Sequence, residues 1–351
     1  MKIVFFTGEY TEGGAERVMS ILANGFVKRG YDVALLSYYD SKFFYSLDEK
    51  VEKLSVFHNT GSKNIIKNLI WMHRYFKENG DIVISFLAPF NILALLAFIL
   101  IDKPIIVADR NDPSKVPGNR LIRCLRDFLY RFADGVTVQT LQNSRYFKGI
   151  KTKVIANPIY FDGYAGKALN VQKKNKIVNV GRLKSQKNQK MLIEALGDID
   201  EKYYLEIYGD GDLKNELMDF ADKCEVKERV HFMGNVKDVF DKILDASIFV
   251  LSSNYEGMPN ALIEAMCLGL PVISTKVSGT EELIKDNING LLIDIDDEKA
   301  LADKLNLLLK NVELRNSLAK EAVKVYDKLK ADKIIDEWLE FVSDVKNKYN
   351  S

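Results

Sequence analysis

Three cysteines stand in the 351 residues, Cys124, Cys224 and Cys267, odd in number, far apart and in no Cys-x-x-Cys pair. That excludes a disulfide framework and a thiolate zinc site, and it fits a reducing cytosol. Histidine is equally scarce: His58, His73 and His231 are scattered, each reading as an ordinary surface or core residue. Charge of one sign is missing too. Fifty basic against forty-nine acidic side chains leave a formal charge of +1, so no global field draws nucleic acid. The longest unbroken apolar run, residues 92–101, is too short for a bilayer that needs about twenty residues. No signal peptide is visible, because the chain enters a strand-like run at once. The expectation is a cytoplasmic protein, free or peripheral on the cytoplasmic face of the membrane.

What is present is β/α alternation, twice over. A strand (residues 2–6), a loop ending in Gly13-Gly14, a helix (15–28) and a strand (32–37) make a βαβ unit. Further strands are expected at 82–86, 105–109, 136–139 and 153–156, with residues 40–53 as a polar connection. After Asn157-Pro158 and a linker over 162–176, strands at 177–180, 204–208, 230–232, 248–251, 272–275 and 291–293 alternate with helices. This length and pattern predict an α/β protein of two Rossmann-like domains. Gly13-Gly14 directly before a helix suits close approach of a ligand backbone or phosphate, although a tight turn explains it as well. The spacing is not that of a dinucleotide fingerprint. Residues 332–349 form a closing helix with an apolar face that includes Trp338.

Two amphipathic helices are basic, residues 63–77 and 120–131. The expectation is that they pack their apolar face and solvate the charged one. Peripheral contact of their basic faces with an anionic membrane is the alternative.

One stretch, residues 252–271, concentrates chemistry. It follows an apolar strand, breaks at Gly257 and Pro259, then runs apolar to Gly269 with one charge, Glu264. Pro259 suits a first helical turn and Gly269 a C-cap. A buried carboxylate needs a polar partner. Either Glu264 is structural, or it joins Glu256 and Asn260 in receiving the hydroxyls of a polar ligand, with a phosphate near the backbone of Gly257, Met258, Pro259 and Asn260. At another strand end Arg182 and Lys187 could neutralise a diphosphate or form a solvated basic loop. Asp210 and Asp212, flanked by glycines, read as a turn with helix-capping acids rather than a metal site.

Gly181-Arg182 with Lys187, Gly209-Asp210-Gly211, Phe232 to Gly234, Glu256-x7-Glu264 and Gly269-Leu270-Pro271, in this order, resemble the retaining glycosyltransferases of family 4. Gly13-Gly14-Ala15-Glu16-Arg17 resembles that family's N-terminal loop. The resemblance implies the GT-B fold: an acceptor-binding domain over 1–162, a nucleotide-sugar-binding domain over 163–330, facing it across a cleft, and a helix over 331–351 crossing back to the first domain. It implies that Glu264 accepts ribose hydroxyls and that Arg182 and Lys187 hold the diphosphate. Glu256, with the backbone of residues 257–260, would hold the sugar and β-phosphate. Gly13, Gly14 and Phe232 would belong to the donor site, and no metal would be required. Many members carry a histidine after the strand that here leads to Arg110. Arg110 either replaces it as a sugar or phosphate contact, or pairs with Asp109 or Asp112.

The function implied is transfer of a hexose or N-acetylhexosamine from a nucleotide sugar, UDP-linked, to a saccharide or lipid-linked saccharide in envelope polysaccharide synthesis. Two other readings compete: a nucleotide-sugar epimerase of similar fold, and a non-catalytic nucleotide-sugar-binding scaffold.

Overall fold

Apolar runs without alternation become strands buried on both faces, as parallel sheets require. In the computed structural model, residues 1–11, 13–41, 43–161 and 163–349 are described; Asp162, at the start of the expected linker and the end of the expected first domain, lies outside them. The chain divides into one unit of Met1–Tyr160 with Leu329–Ser351, and a second of Phe161–Lys328.

The first unit holds a seven-stranded, all-parallel sheet. Its strands are β1 (Lys2–Thr7), β2 (Asp32–Ser37), β3 (Glu52–Ser55), β4 (Ile82–Phe86), β5 (Ile105–Ala108), β6 (Gly135–Val138) and β7 (Thr152–Val154), in the order β3-β2-β1-β4-β5-β6-β7. Alternate residues of β1 serve opposite cores: Ile3 and Phe5 one, Val4 and Phe6 the other. Strand β3 falls where a polar connection is expected. Glu-Lys-Leu-Ser carries no apolar signal because β3 is an edge, where charge is the usual protection; it forms by pairing with residues 34–37 of β2.

The closing helix runs Ala331–Asn347 and belongs to the first unit. Its Ile334, Ile335, Trp338, Val342 and Val345 join the core of β1 and β4, and Trp338 stacks on Phe86 with ring centroids 5.9 Å apart. Burial of side chains this size contributes about 1.5–3 kcal/mol each.

The two basic helices run Ile65–Asn79 and Arg120–Leu129, the latter followed by a 3-10 turn at Tyr130–Phe132. Helix Arg120–Leu129 overturns the expected orientation. Arg126 is its one buried residue, while Leu121, Leu125 and Phe128 are exposed.

The second unit has six parallel strands, β8 (Lys176–Val180), β9 (Tyr204–Tyr208), β10 (Val230–Gly234), β11 (Ile248–Leu251), β12 (Val272–Thr275) and β13 (Leu291–Ile293), ordered β10-β9-β8-β11-β12-β13. The expected linker is packed rather than loose: Ala168 is fully buried, and the Gly166 amide donates to the Cys267 carbonyl at 2.9 Å.

Candidate functional site

In each sheet the strand order reverses once, between β1 and β4 and between β8 and β11. Loops leaving two such strands run in opposite directions, and open α/β sheets bind ligands in the crevice this leaves. In the second unit the loop after β8 carries Arg182 and Lys187, and the loop after β11 carries Glu256 and leads to Glu264. Topology thus brings together residues some seventy positions apart.

The two loops are zipped by hydrogen bonds. The Asn254 amide donates to the Gln186 carbonyl at 2.8 Å. Gln186 Nε2 donates to the Tyr255 carbonyl at 2.9 Å, and Ser252 Oγ to the Lys187 carbonyl at 2.8 Å. At the centre Lys187 Nζ forms an ion pair with Glu256 Oε1, the side chains being 17% and 9% exposed. Ser253 Oγ donates to the same oxygen at 2.7 Å. Glu256 Oε2 keeps a single longer contact, 3.4 Å from Gln186 Nε2, so it has capacity left for a ligand hydroxyl. Below lies a chain of buried threonines: Thr275 Oγ1 donates to the Ser253 carbonyl and Thr280 Oγ1 to the Thr275 carbonyl, both at 2.6 Å.

Two glycines permit this closeness. The stem of Lys187 lies over Gly181, where a Cβ would meet its Cε at 3.3 Å. A Cβ on Gly279 would overlap the Gly257 carbonyl and Met258 Cα, so the loop rests directly on the first turn of helix Ser278–Leu283. Arg182 differs from Lys187: its side chain is exposed and has no hydrogen-bond or ion-pair partner among the described residues.

Glu264 lies on helix Asn260–Leu268, which is buried from Leu262 onward. Pro259 is the N-cap of this helix rather than a residue of its first turn, and Gly269 closes it at φ 85°, the left-handed C-cap conformation. Burial chiefly, with the nearby charges of Glu264 and Asp327, pushes the Cys267 thiol well above its ordinary value. Phe232 is half-buried and packs against the second unit's core.

Neither Asp210 nor Asp212 caps a helix: the next helix begins at Lys214 with Leu213 as an N-cap lacking a side-chain bond. Asp210 Oδ1 instead accepts the Gly211 amide at 2.8 Å. Asp212 is 90% exposed and 3.9 Å from Lys184.

The remaining candidates belong to the first unit. Gly13 is the N-cap of helix Gly14–Lys28, and a Cβ there would overlap the Glu16 carboxylate, which supplies this helix end with an acid of its own. Arg110 is buried; its Nη2 donates to Asn157 Oδ1 at 2.7 Å, and its guanidinium lies 5.6 Å over the Phe86 ring. Burial pulls that guanidinium below its ordinary range, with Asp109 opposing. The alternative pairing of Arg110 with Asp109 or Asp112 is not what forms. Asp109 Oδ2 lies 3.6 Å from Arg126 Nη1 and accepts from Tyr130 at 3.3 Å, while Asp112 Oδ1 takes Ser114 Oγ at 2.7 Å. Burial lifts the Asp109 carboxyl to about 6, with Arg126 opposing.

Sequence reasoning did not find Ser253, which donates to Glu256 within its own loop, or Thr275 and Thr280, whose hydroxyls bond backbone carbonyls that the fold brings near. Leu87 went unmarked in the sequence; its φ of 72° directly after β4 places a strained residue beside the first unit's strand-order reversal.

The family model described as "Glycosyl transferases group 1" matches residues 164–325. A relative from Campylobacter jejuni is 31% identical, covering 99% of each chain; it is the GalNAc-alpha-(1->4)-GalNAc-alpha-(1->3)-diNAcBac-PP-undecaprenol alpha-1,4-N-acetyl-D-galactosaminyltransferase. An Escherichia coli UDP-Gal:alpha-D-GlcNAc-diphosphoundecaprenol alpha-1,3-galactosyltransferase is 31% identical over 53% of this chain and 54% of its own. Among solved structures, Anabaena HepE in complex with UDP-glucose superposes with a TM-score of 0.86 at 20% identity, covering 98% of this chain and all of that one. The fold is therefore of the GT-B type, built from two Rossmann-like units.

Proposed function

The chain belongs to the group 1 glycosyltransferases, and from that premise we propose that it is a retaining transferase using a UDP-sugar. The sugar is a hexose or N-acetylhexosamine, and the acceptor a lipid-linked saccharide of envelope polysaccharide synthesis. The observation that carries this reading is the Lys187–Glu256 pair across the strand-order reversal, with the unpaired Arg182 beside it. The α-linked products and undecaprenol diphosphate acceptors named for the two relatives support the donor and acceptor classes.

Breaking a sugar–phosphate bond develops negative charge on the departing diphosphate and positive charge on the anomeric carbon. Lys187, held against Glu256 before the reaction begins, stabilises the first with little reorganisation, and the exposed Arg182 adds a second cation. They supply positive charge without a metal. Glu256 Oε2 accepts a sugar hydroxyl and Glu264 the ribose hydroxyls, with residues 257–260 along the β-phosphate. The same reading assigns Gly13, Gly14, Arg110 and Phe232 to donor contacts. Retention follows from front-face attack: the acceptor oxygen bonds to the anomeric carbon as the phosphate leaves, and the acceptor proton passes to that phosphate. No protein nucleophile is needed.

The test is UDP release across a panel of UDP-sugars with a lipid-linked saccharide acceptor. One donor is expected to support turnover, and Lys187→Ala and Glu264→Ala to lower kcat/KM by about 100-fold or more. Absence of UDP binding and release across the panel, or wild-type rates in both variants, would overturn the reading.

A further inference from the structure

Helix Arg120–Leu129 is turned inside out relative to its pattern. Arg126 is fully buried, whereas Leu121 is 79%, Leu125 44% and Phe128 55% exposed, and Phe132 of the following turn 66%. These four follow one another at four-, three- and four-residue steps, so they form one stripe. The inversion has a visible cause. Arg126 donates from Nη1 to the Val116 carbonyl at 2.6 Å and from Nη2 to the Pro113 carbonyl at 2.9 Å. It also donates from Nε and Nη2 to Asp127 Oδ1 at 2.9 and 2.7 Å, and its guanidinium lies 5.3 and 5.2 Å from the Tyr146 and Phe147 rings. With the cation anchored inward, the leucines and phenylalanine face solvent.

The unpaired charge around the stripe is positive. Arg120 and Arg131 are exposed, and neither has an ion-pair partner among the described residues. The helix's one acid, Asp127, is occupied by Arg126 and by Tyr146 Oη at 2.9 Å. An apolar stripe flanked by unpaired arginines complements a surface that is anionic outside and apolar beneath. A second copy fits less well, since self-association through this stripe would bring Arg120 and Arg131 against like charges. No helix among the described residues is long and apolar enough to cross a membrane, so the geometry is that of a surface anchor.

We propose that this helix and the turn after it dock the protein on an anionic lipid bilayer, with Leu121, Leu125, Phe128 and Phe132 entering the interface and Arg120 and Arg131 meeting lipid phosphates. This moves the membrane contact from the basic face expected from sequence to the apolar one. It deepens the reading of a lipid-linked acceptor but rests on exposure and charge, so it can fail while that reading stands.

The experiment is flotation of the full chain with vesicles of phosphatidylglycerol and phosphatidylethanolamine, against pure phosphatidylcholine. Binding to the anionic vesicles is expected to weaken more than about tenfold in Leu125→Ser/Phe128→Ser. It should weaken also in Arg120→Glu/Arg131→Glu, and persist in part in about 0.5 M salt, which screens charge but not apolar burial. Thermal unfolding and UDP release with a detergent-soluble, short-chain acceptor serve as controls and should not change in the serine variant. A wild-type chain that does not float, a serine variant that floats equally, or a lipid-free dimer that the serine substitutions dissociate would each overturn the proposal.

Discussion

Lys187 and Glu256 are a cation and an anion sharing a site 17% and 9% exposed. Removing one partner leaves the other in a low-dielectric setting, so the loss exceeds the worth of the pair itself. A double-mutant cycle of Lys187→Ala and Glu256→Gln, read by chemical unfolding without ligand, should give a coupling of about 0.5–3 kcal/mol. Additive losses would show that the two side chains act independently. Asp109 offers a pH test. Its folded value of about 6 lies above the roughly 3.9 of an unfolded chain, so folding favours its protonated form. Its contribution to stability is full below the unfolded value and is lost as pH rises through about 6. Unfolding free energy of Asp109→Asn measured from pH 4 to 7 should therefore fall less steeply than that of the wild type. Equal slopes would remove Asp109 as the titrating group.

At the scale of elements, the loop after β11 is held from beneath by helix Ser278–Leu283, with Gly279 against Gly257 and Met258. Gly279→Ala puts a methyl group into backbone that cannot step aside without moving the loop. Overpacking of this kind costs about 1–3 kcal/mol. UDP affinity measured by calorimetric titration should drop by about tenfold, a shift of about 1.4 kcal/mol; unchanged affinity would mean the loop adjusts freely. Strands such as β1 and β11 were legible because burial on both faces writes an unbroken apolar run. Strand β3 was not, because an edge formed by pairing leaves no such run. Helix Arg120–Leu129 was legible as amphipathic, yet its orientation was not, since carbonyls at 113 and 116 and the aromatic rings at 146 and 147 decide which face turns inward.

For the whole molecule, the last helix is the notable long-range link: residues 329–351 belong with the first 160. Trp338, fully buried against Phe86, should cost about 3–5 kcal/mol on substitution by alanine. Scanning calorimetry of Trp338→Ala is expected to lower the transition of the first unit and leave that of the second in place. A single transition moving as a whole would show that the units unfold together.

The amino-acid sequence by itself determined the two β/α alternations, the buried helix with its lone Glu264, and the cations at 182 and 187, because periodicity and punctuation are local properties. Tertiary structure alone decided that Lys187 faces Glu256, that Thr275 braces the loop carrying that carboxylate through the Ser253 carbonyl, and that Arg126 rather than Arg110 forms the ion pair with Asp109. Each of these joins groups from different strand ends or loops, and which strand ends become neighbours is set by the order of strands in the sheet. Strand order follows from how crossover helices cover both faces, a property of the assembled layers that no short window of residues carries.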